Sequence, residues 1–571
     1  MTQTNVGTSQ GTDNPYAKKP WISKYDKGIP AEMKFPEINL YKILDNAAEK
    51  YGSKTAIYFM ENRISYKKVK EMTDKLATAL VELGVKKGDR VALLMYNYPQ
   101  FIVSFFGVLK AGAILAPLNI QNTESELLYQ INDSGAEILI AADSLLDKIN
   151  NIRNSTSLRH VIISNVFDYT PGGSKNPPEI AGCIQFLTLL ENTKPNPPKF
   201  DTNAKEDVAL LQYTGGTTGL PKAAMLTHYN VVSNAYVTSE WGKNLRRDGK
   251  ETVLTQLPLF HMYGITVCMN AFILSGSCIA LNPNPRDQKA FFEVVKATKP
   301  EWLPGVPKIY ERLLDRDDFK DYVKYFRCVK VCNTGASAMP LQVMKDFEEQ
   351  TGANIREGYG MTETSPTTIS TPLQGVRKIG SVGVPVPNTE IKIVDVSDPT
   401  KIMPQGEAGE LIVKGPQVMK GYWNKPKETL EQLKDGWLMT GDIVKMDKDG
   451  YIFIVDRKKE MINVSGEKVF AAEVENALLQ FDPIANAAVI GVPNPKEPGN
   501  EVVKAFIILK EGVRESEETL AEIKDFCKKN MAYYKVPKIF EFKKEFPETT
   551  IGKTKKKDLK DSEALKRGEE T

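Results

Sequence analysis

The chain is poor in the residues that make metal and disulfide frameworks, with six cysteines and three histidines in 571 residues. Cys183, Cys268, Cys278, Cys328, Cys332 and Cys527 are scattered, with no C-x-x-C pair. That spacing argues against a zinc site and a disulfide scaffold, and it makes a reducing cytoplasm the simplest compartment. Cys328 and Cys332 fall in an apolar, strand-like run and are expected to be buried small hydrophobes. A dominant charge is also missing, since 75 Lys and Arg face 72 Asp and Glu. Nothing global therefore points to a nucleic-acid partner.

Long apolar runs are absent too. Residues 101–118 and 264–281 approach span length, but Lys110, Ala111 and Gly112 interrupt the first and Ser275, Gly276 and Ser277 the second. A span needs about 20 apolar residues without such breaks, so each segment reads as a buried helix, a glycine turn and a buried strand. The N-terminus lacks the apolar core of a signal peptide, and residues 1–20 read as a disordered tail. Neither a G-x-S-x-G elbow nor a Cys–His nucleophile arrangement occurs, which fits chemistry without a covalent enzyme intermediate.

What remains is an ordinary globular composition, 41% hydrophobic and 26% charged, long enough for several domains. Residues 43–51 and 69–83 carry helical periodicity and residues 90–95 read as a strand. Strands alternating with helices predict an α/β fold with mostly parallel sheets. The two near-span segments resemble one another, which predicts two layered α/β subdomains over residues 40–200 and 205–375. The Pro- and Gly-rich passage 171–198 is expected to be a surface connection between them. Past residue 375, short strands at 391–395, 409–415 and 450–455 predict a β-rich antiparallel subdomain. A small α+β C-terminal domain is expected over 457–571, after an N-terminal domain over 21–456.

The most telling stretch is Tyr213, Thr214, Gly215, Gly216, Thr217, Thr218, Gly219, Leu220, Pro221 and Lys222. It follows an apolar run, residues 208–211, that reads as a buried strand. Glycines let successive N–H groups converge on one point, while hydroxyls and an ammonium add donors and charge. This is chemistry for holding phosphate. It is not a Walker A loop, because Pro221 precedes the lysine and residues 222–226 read as a second strand. The Gly552, Lys553, Thr554 sequence fails the same test, with Pro547 where the first glycine belongs. A second cluster is Gly358, Tyr359, Gly360, Met361, Thr362 and Glu363. Glycines around a tyrosine let a flat ligand approach a ring, and Thr-Glu then offers a phosphate donor and a hard oxygen ligand for Mg²⁺.

Together these two motifs resemble the adenylate-forming superfamily of acyl-CoA synthetases, luciferases and adenylation domains. Thr440, Gly441 and Asp442, then residues 456–459, then 547–553, match three further motifs in the family's order. The likeness covers nearly the whole chain and is strongest to medium- and long-chain fatty acyl-CoA synthetases. It implies that Thr214, Gly215, Gly216, Thr217, Thr218, Gly219 and Lys222 grip the ATP phosphates. Gly335, Ala336 and Ser337 would form a loop against adenine, followed by Glu357, Gly358 and the stacking ring of Tyr359. Thr362 would contact the α-phosphate and Glu363 would hold Mg²⁺. Asp442 would accept from the ribose hydroxyls, with Arg457 against ribose or phosphate. Lys459 occupies the position about which the family rotates its C-terminal domain. Lys553 matches the lysine that bridges the acyl carboxylate and α-phosphate, and His261 the histidine at the mouth of the acyl pocket. Residues near 236–240 and 261–264, with Ala336 and Gly360, would line that pocket. Ser465 and Gly466 resemble the segment beside the CoA pantetheine.

The sequence departs from the family pattern at Ala223, where glycine is frequent, and at Asn463, where several relatives carry lysine. The resemblance implies an ATP-dependent acid–thiol ligase, with ATP, Mg²⁺ and coenzyme A, that makes acyl-CoA through acyl-AMP. An aryl-CoA ligase, an acyl-AMP ligase loading a carrier protein and an ADP-forming phosphotransferase are the alternatives, with a non-catalytic nucleotide binder last. A homodimer and a peripheral membrane contact are both compatible with the sequence.

Overall fold

The computed structural model describes residues 14–173, 180–214, 220–283, 287–465, 467–494, 497, 500–547 and 554–566. The chain divides into two compact units: Lys24–Glu390 with Lys414–Leu438, and Met1–Ser23 with Ile391–Val413 and Met439–Thr571. The larger unit opens with α1 (Lys42–Tyr51), the hairpin of β1 (Thr55–Phe59) and β2 (Asn62–Ser65), and α2 (Tyr66–Glu82). Then come β3 (Arg90–Leu94), α3 (Pro99–Lys110), β4 (Ile114–Pro117), α4 (Glu124–Ser134), β5 (Ile138–Ala142), β6 (His160–Ser164) and β7 (Ile184–Gln185). The hairpin of β8 (Val208–Thr214) and β9 (Lys222–Thr227) leads into α5 (His228–Trp241). After β10 (Thr252–Thr255) and β11 (Cys278–Leu281), the unit adds β12 (Cys332–Thr334), β13 (Ile355–Gly360), β14 (Thr367–Ser370), β15 (Val384–Pro385) and β16 (Gly421–Tyr422).

Local chemistry starts several of these elements. The Ser65 hydroxyl accepts from Lys68 N at the start of α2, and Thr123 with Glu126 forms a capping box on α4. Strands β4 and β5 are buried at every residue, as expected for parallel strands covered on both faces. The main sheet runs β16-β9-β8-β4-β3-β5-β6-β7, and two smaller sheets run β10-β11-β1-β2 and β12-β13-β14-β15.

This topology confirms the helix, turn and strand reading of both near-span segments, now α3 to β4 and a helical stretch to β11. It corrects the expected division into 40–200 and 205–375. Strand β1 pairs in parallel with β11, Ile57 opposite Ile279, and β8 joins the first half's sheet through β4, Leu115 opposite Leu210. Sheet membership follows non-local pairing, which local periodicity does not encode. The passage 171–198 is likewise more than a connection. It supplies β7 at the sheet edge and a short helix, Phe186–Asn192, that buries Phe186 and Leu190. Cys332 is buried as expected, whereas Cys328 keeps partial exposure.

In the smaller unit, β17 (Trp437–Met446) and β18 (Ile452–Arg457) form an antiparallel pair with Asp442 opposite Arg457. Beyond them α6 (Ala471–Leu478), β19 (Ile484–Pro493), β20 (Glu501–Leu509), α7 (Glu517–Asn530), β21 (Ile539–Phe542) and α8 (Lys556–Lys566) form the α+β part. Its core gathers Ile462, Val469, Val474, Leu478, Val489, Ala505, Ile507 and Ile523. Residues 1–13 of the expected tail lie outside the described part. Tyr16 and Trp21, by contrast, are buried, and Tyr16 Oη donates to Met403 O at 3.0 Å. Among the described residues no helix is long and apolar enough to cross a membrane.

Lys110, the polar break in the first apolar run, is held where α1, α2 and α3 meet. Its buried ammonium donates to Asp45 Oδ1 and Asp74 Oδ1, each at 2.5 Å. The two carboxylates share this buried cation, while their other partners, Lys42 at 3.6 Å from Asp45 and Lys70 at 2.6 Å from Asp74, are more exposed. We expect Lys110→Met to cost about 3–5 kcal/mol of stability, because it strands buried charge. Lys70→Met, which removes a more exposed partner of Asp74, should cost no more than about 1 kcal/mol. Denaturant unfolding of both variants checks this, and equal losses would contradict it.

Candidate active site

The glycine-rich loop joins two antiparallel neighbours, with Thr214 opposite Lys222 and Tyr213 opposite Ala223. Gly215, Gly216, Thr217, Thr218 and Gly219 lie outside the described residues. Both ends of the loop are fastened. Tyr213 Oη lies 2.9 Å from both Gln130 O and Asp133 Oδ2 and shares its one proton between them, and Tyr129 Oη donates to Pro221 O at 3.1 Å. Ala223 is a buried strand residue outside the positive-φ set. The absence of the family's frequent glycine therefore imposes no backbone strain.

The loop at Gly335, Ala336 and Ser337 leaves β12, and the Gly358–Gly360 segment ends β13. These two strands are parallel neighbours, with Thr334 opposite Glu357, so both segments emerge at the same sheet end. Crevices at the carboxyl ends of parallel strands are where α/β folds bind ligands. Close approach explains two glycines. A Cβ on Gly360 would lie 1.9 Å from Pro366 O, and one on Gly335 would lie 3.1 Å from Gly358 O. Tyr359 is partly exposed beside them.

His261 sits in a tight corner before a π-helical turn, Tyr263–Asn270. A Cβ on Gly264 would lie 2.3 Å from Pro258 O, Gln212 Nε2 donates to Phe260 O at 2.8 Å and Asn97 Oδ1 accepts from Leu259 N at 2.9 Å. Tyr263 lies near the Gly335 loop. His261 is partly exposed, yet desolvation by its surroundings lowers its pKa to about 4. The imidazole is therefore neutral at pH 7.

Thr362 and Glu363 open a single 3₁₀ turn after β13. Glu363 is buried, and its carboxylate accepts from Tyr422 Oη at 2.7 Å. Its backbone carbonyl accepts from Met419 N at 2.8 Å. Burial, then the neighbouring carboxylate, push the Tyr422 phenol well above its ordinary pKa. The Lys222 ammonium lies 4.7 Å from the centre of the Tyr422 ring. Tyr422 thus connects two site residues. Sequence reasoning missed it, because a two-residue edge strand after Lys420 carries no periodic signal; the Gly-Tyr-Trp run at 421–423 was the available hint.

Among the described residues no group of three or more His, Cys, Asp and Glu converges on one point. Glu363 alone could hold a cation only with oxygens from substrate and water. That donor set suits Mg²⁺, which is commonly bound through one or two carboxylates plus substrate phosphates.

In the smaller unit Arg457 Nε stands 3.4 Å from Asp442 Oδ1. The preceding turn is fixed by Glu410, which accepts from Gly441 N at 3.1 Å and pairs with Lys458 at 2.8 Å. Lys459 lies in the short helical turn Lys458–Glu460. Ser465 has φ +50° and its Oγ donates to Glu497 at 3.1 Å, while Asn463 N donates to Glu501 at 2.9 Å. Gly466 and Lys553 lie outside the described residues.

Glu357 differs from its expected place among nucleotide contacts in one respect. Its carboxylate is buried under the 335–339 loop, accepting from Met339 N at 3.4 Å. Burial raises its pKa from 4.5 to about 7, against the pull of that N–H and of Arg377. The folded state therefore retains a proton that the unfolded chain gives up, and stability falls as pH rises from about 4.5 through about 7. We expect Glu357→Gln to gain on the order of 2–3 kcal/mol over the parent at pH 8 and almost nothing at pH 4. Unfolding curves at the two pH values measure the difference, and a pH-independent offset would contradict the assignment.

Comparison with known proteins agrees with this geometry. The family model described as AMP-binding enzyme matches residues 44–423, and that of its C-terminal domain matches residues 473–553. A long-chain-fatty-acid–CoA ligase of Bacillus subtilis strain 168 is 38% identical, covering 96% of this chain and 98% of that protein. Its counterpart in Salmonella typhimurium strain LT2 is 36% identical, covering 95% and 98%. The crystal structure of an anthranilate CoA ligase with anthranoyl-AMP superposes with a TM-score of 0.83 at 28% identity, covering 94% of this chain and all of that one. On sequence over nearly its whole length and on fold alike, the chain belongs to the family of AMP-binding enzymes.

Proposed function

We propose that this protein is an ATP-dependent acid–thiol ligase that converts a fatty acid of medium to long chain into its CoA thioester. The observation that carries the reading is the full-length similarity to long-chain-fatty-acid–CoA ligases, together with Lys222, Tyr359, Thr362 and Glu363 on neighbouring segments of one unit. In the first step a carboxylate oxygen attacks the α-phosphorus of ATP, the bond to the bridging oxygen breaks, and pyrophosphate leaves. In the second the CoA thiolate attacks the acyl carbon of acyl-AMP and AMP departs.

Each residue serves charge or position. Lys222 and Thr214, with Gly215, Gly216, Thr217, Thr218 and Gly219, hold the departing pyrophosphate. Thr362 donates to the α-phosphate, and Gly335, Ala336, Ser337, Gly358 and Tyr359 take the adenine. Asp442 accepts the ribose hydroxyls, which suits an acceptor-only carboxylate. Glu363 would hold Mg²⁺, which when bound neutralises phosphate charge. Lys553 stands between two anions, the incoming carboxylate and the α-phosphate, and stabilises the charge that builds as they meet. Neutral His261 borders the acid without competing for its charge. Lys459 serves as the pivot between the two steps, and Ser465 and Gly466 border the pantetheine. Unpaired thiols favour a cytoplasmic enzyme. A homodimer and a peripheral contact with acid-bearing membranes belong to the same reading, and sedimentation with and without vesicles tests both.

The aryl alternative draws on the likeness to the anthranilate ligase. A panel of aliphatic and aromatic acids, read by pyrophosphate release with and without CoA, tests the proposal. The expected product is AMP, with greatest release for aliphatic acids; ADP would overturn the ligase reading, and a preference for benzoates the acyl assignment. For the division of labour, Lys553→Ala should lower acyl-AMP formation at least a hundredfold while leaving CoA attack on supplied acyl-AMP within a few-fold of the parent. Equal loss in both half-reactions would refute it.

A further inference from the structure

Lys222 and Glu363 carry opposite charges and border the same ligand in the reading above. Left to themselves, an ammonium and a partly desolvated carboxylate would attract one another strongly. Lys222 makes no ion pair among the described residues, however; its ammonium faces a ring. We propose that Tyr422 is a positioning residue that holds these two groups apart and aims each at the nucleotide, giving its ring face to Lys222 and its hydroxyl to Glu363.

The placement follows from strand geometry. Tyr422 lies opposite Ala224 in the antiparallel β16–β9 pair. Lys222, two residues before Ala224, shares its face of the strand because side chains alternate with period two. The small Ala224 leaves the tyrosine ring space along β9 toward Lys222. A ring face attracts a cation without neutralising it, so the ammonium keeps its charge for phosphate. The hydroxyl satisfies one lone-pair direction of Glu363 Oε1 at 2.7 Å and leaves the carboxylate its full negative charge.

The backbone that carries Tyr422 is fixed at both edges. Lys420 N donates to Met225 O and Trp423 N to Ala223 O, each at 2.9 Å, while Met419 N binds the Glu363 carbonyl. Tyr422 N itself donates to Thr429 Oγ1 at 2.9 Å, and Trp423 Nε1 to Asp133 O at 3.1 Å. A buried tyrosine serving only to fill space could satisfy its hydroxyl on any nearby carbonyl. Here the same side chain spans the cation and the anion of the phosphate end.

The inference rests on the roles given to Lys222 and Glu363, and its test separates the two. The full-length parent, Tyr422→Phe and Tyr422→Leu are compared by thermal melting, by calorimetric binding of ATP in EDTA, and by the Mg²⁺ dependence of pyrophosphate release. Tyr422→Phe keeps the ring and loses only the bond to a charged acceptor. Its half-saturating Mg²⁺ should rise about tenfold, with metal-free ATP affinity within twofold of the parent. Tyr422→Leu also frees Lys222 to meet Glu363, so its metal-free ATP affinity should fall about tenfold as well. Unchanged Mg²⁺ dependence in Tyr422→Phe, or a uniform loss of rate tracking the melting temperature in both variants, would overturn the positioning role. Should Tyr422→Leu fail to fold, Tyr422→Phe alone decides. A parent that releases no pyrophosphate with any acid would instead overturn the functional reading, and ATP binding in EDTA would still report on the ring.

Discussion

A carboxylate buried from water must find donors or give up its charge, and one segment of chain supplies Glu363 with two of its bonds. Met419 holds its backbone and Tyr422 its side chain. That segment in turn pairs with β9 just past the phosphate loop. Three features that are far apart in sequence, Lys222 at the start of β9, residues 358–363 and residues 419–423, are thereby brought together within one unit. The glycines then follow. Gly360 and Gly264 stand where a side chain would strike backbone oxygen, so the chain can fold back tightly on both sides of the crevice without filling it.

The same economy governs the other charges. His261 is kept neutral by desolvation, which suits a wall that borders an anionic acid, since a charged imidazole would pair with the carboxylate and hold it back. Glu357 keeps its proton to a higher pH than an exposed glutamate and acts as a support for the 335–339 loop. Neither group needs to exchange protons with the acid, which matches a first step in which an already ionised carboxylate attacks and pyrophosphate leaves.

Much of this was legible in the sequence, for reasons that can be named. Residues 208–214 and 222–227 announce a hairpin because apolar strands flank a glycine loop, and α3 with β4 because a glycine turn divides an apolar run. What escaped was long-range. Nothing local says that Ile57 will lie beside Ile279, so the layers were divided at the wrong place. Nothing local says that Glu363 will need Tyr422, because a bond between residues 59 positions apart leaves no trace in periodicity. The sequence motifs carry the groups proposed to meet substrate, and the structure shows which residues brace them.

Lys459, proposed above as a pivot, sits between two packed segments. Among the described residues the apolar cluster of the α+β part begins at Ile462, but Asp456, upstream of the lysine, accepts from Ala472 N at 3.2 Å at the start of α6. Lys556 adds charge to this packing. Its buried ammonium reaches Glu475 at 2.7 Å and Glu460 at 3.1 Å, and although burial lowers its affinity for a proton, the two carboxylates outweigh that and raise it. Glu460, the residue after Lys459, is therefore tied to α6 and to the start of α8. A turn of the backbone at Lys459, the pivot proposed above, would have to release the bond between Asp456 and Ala472.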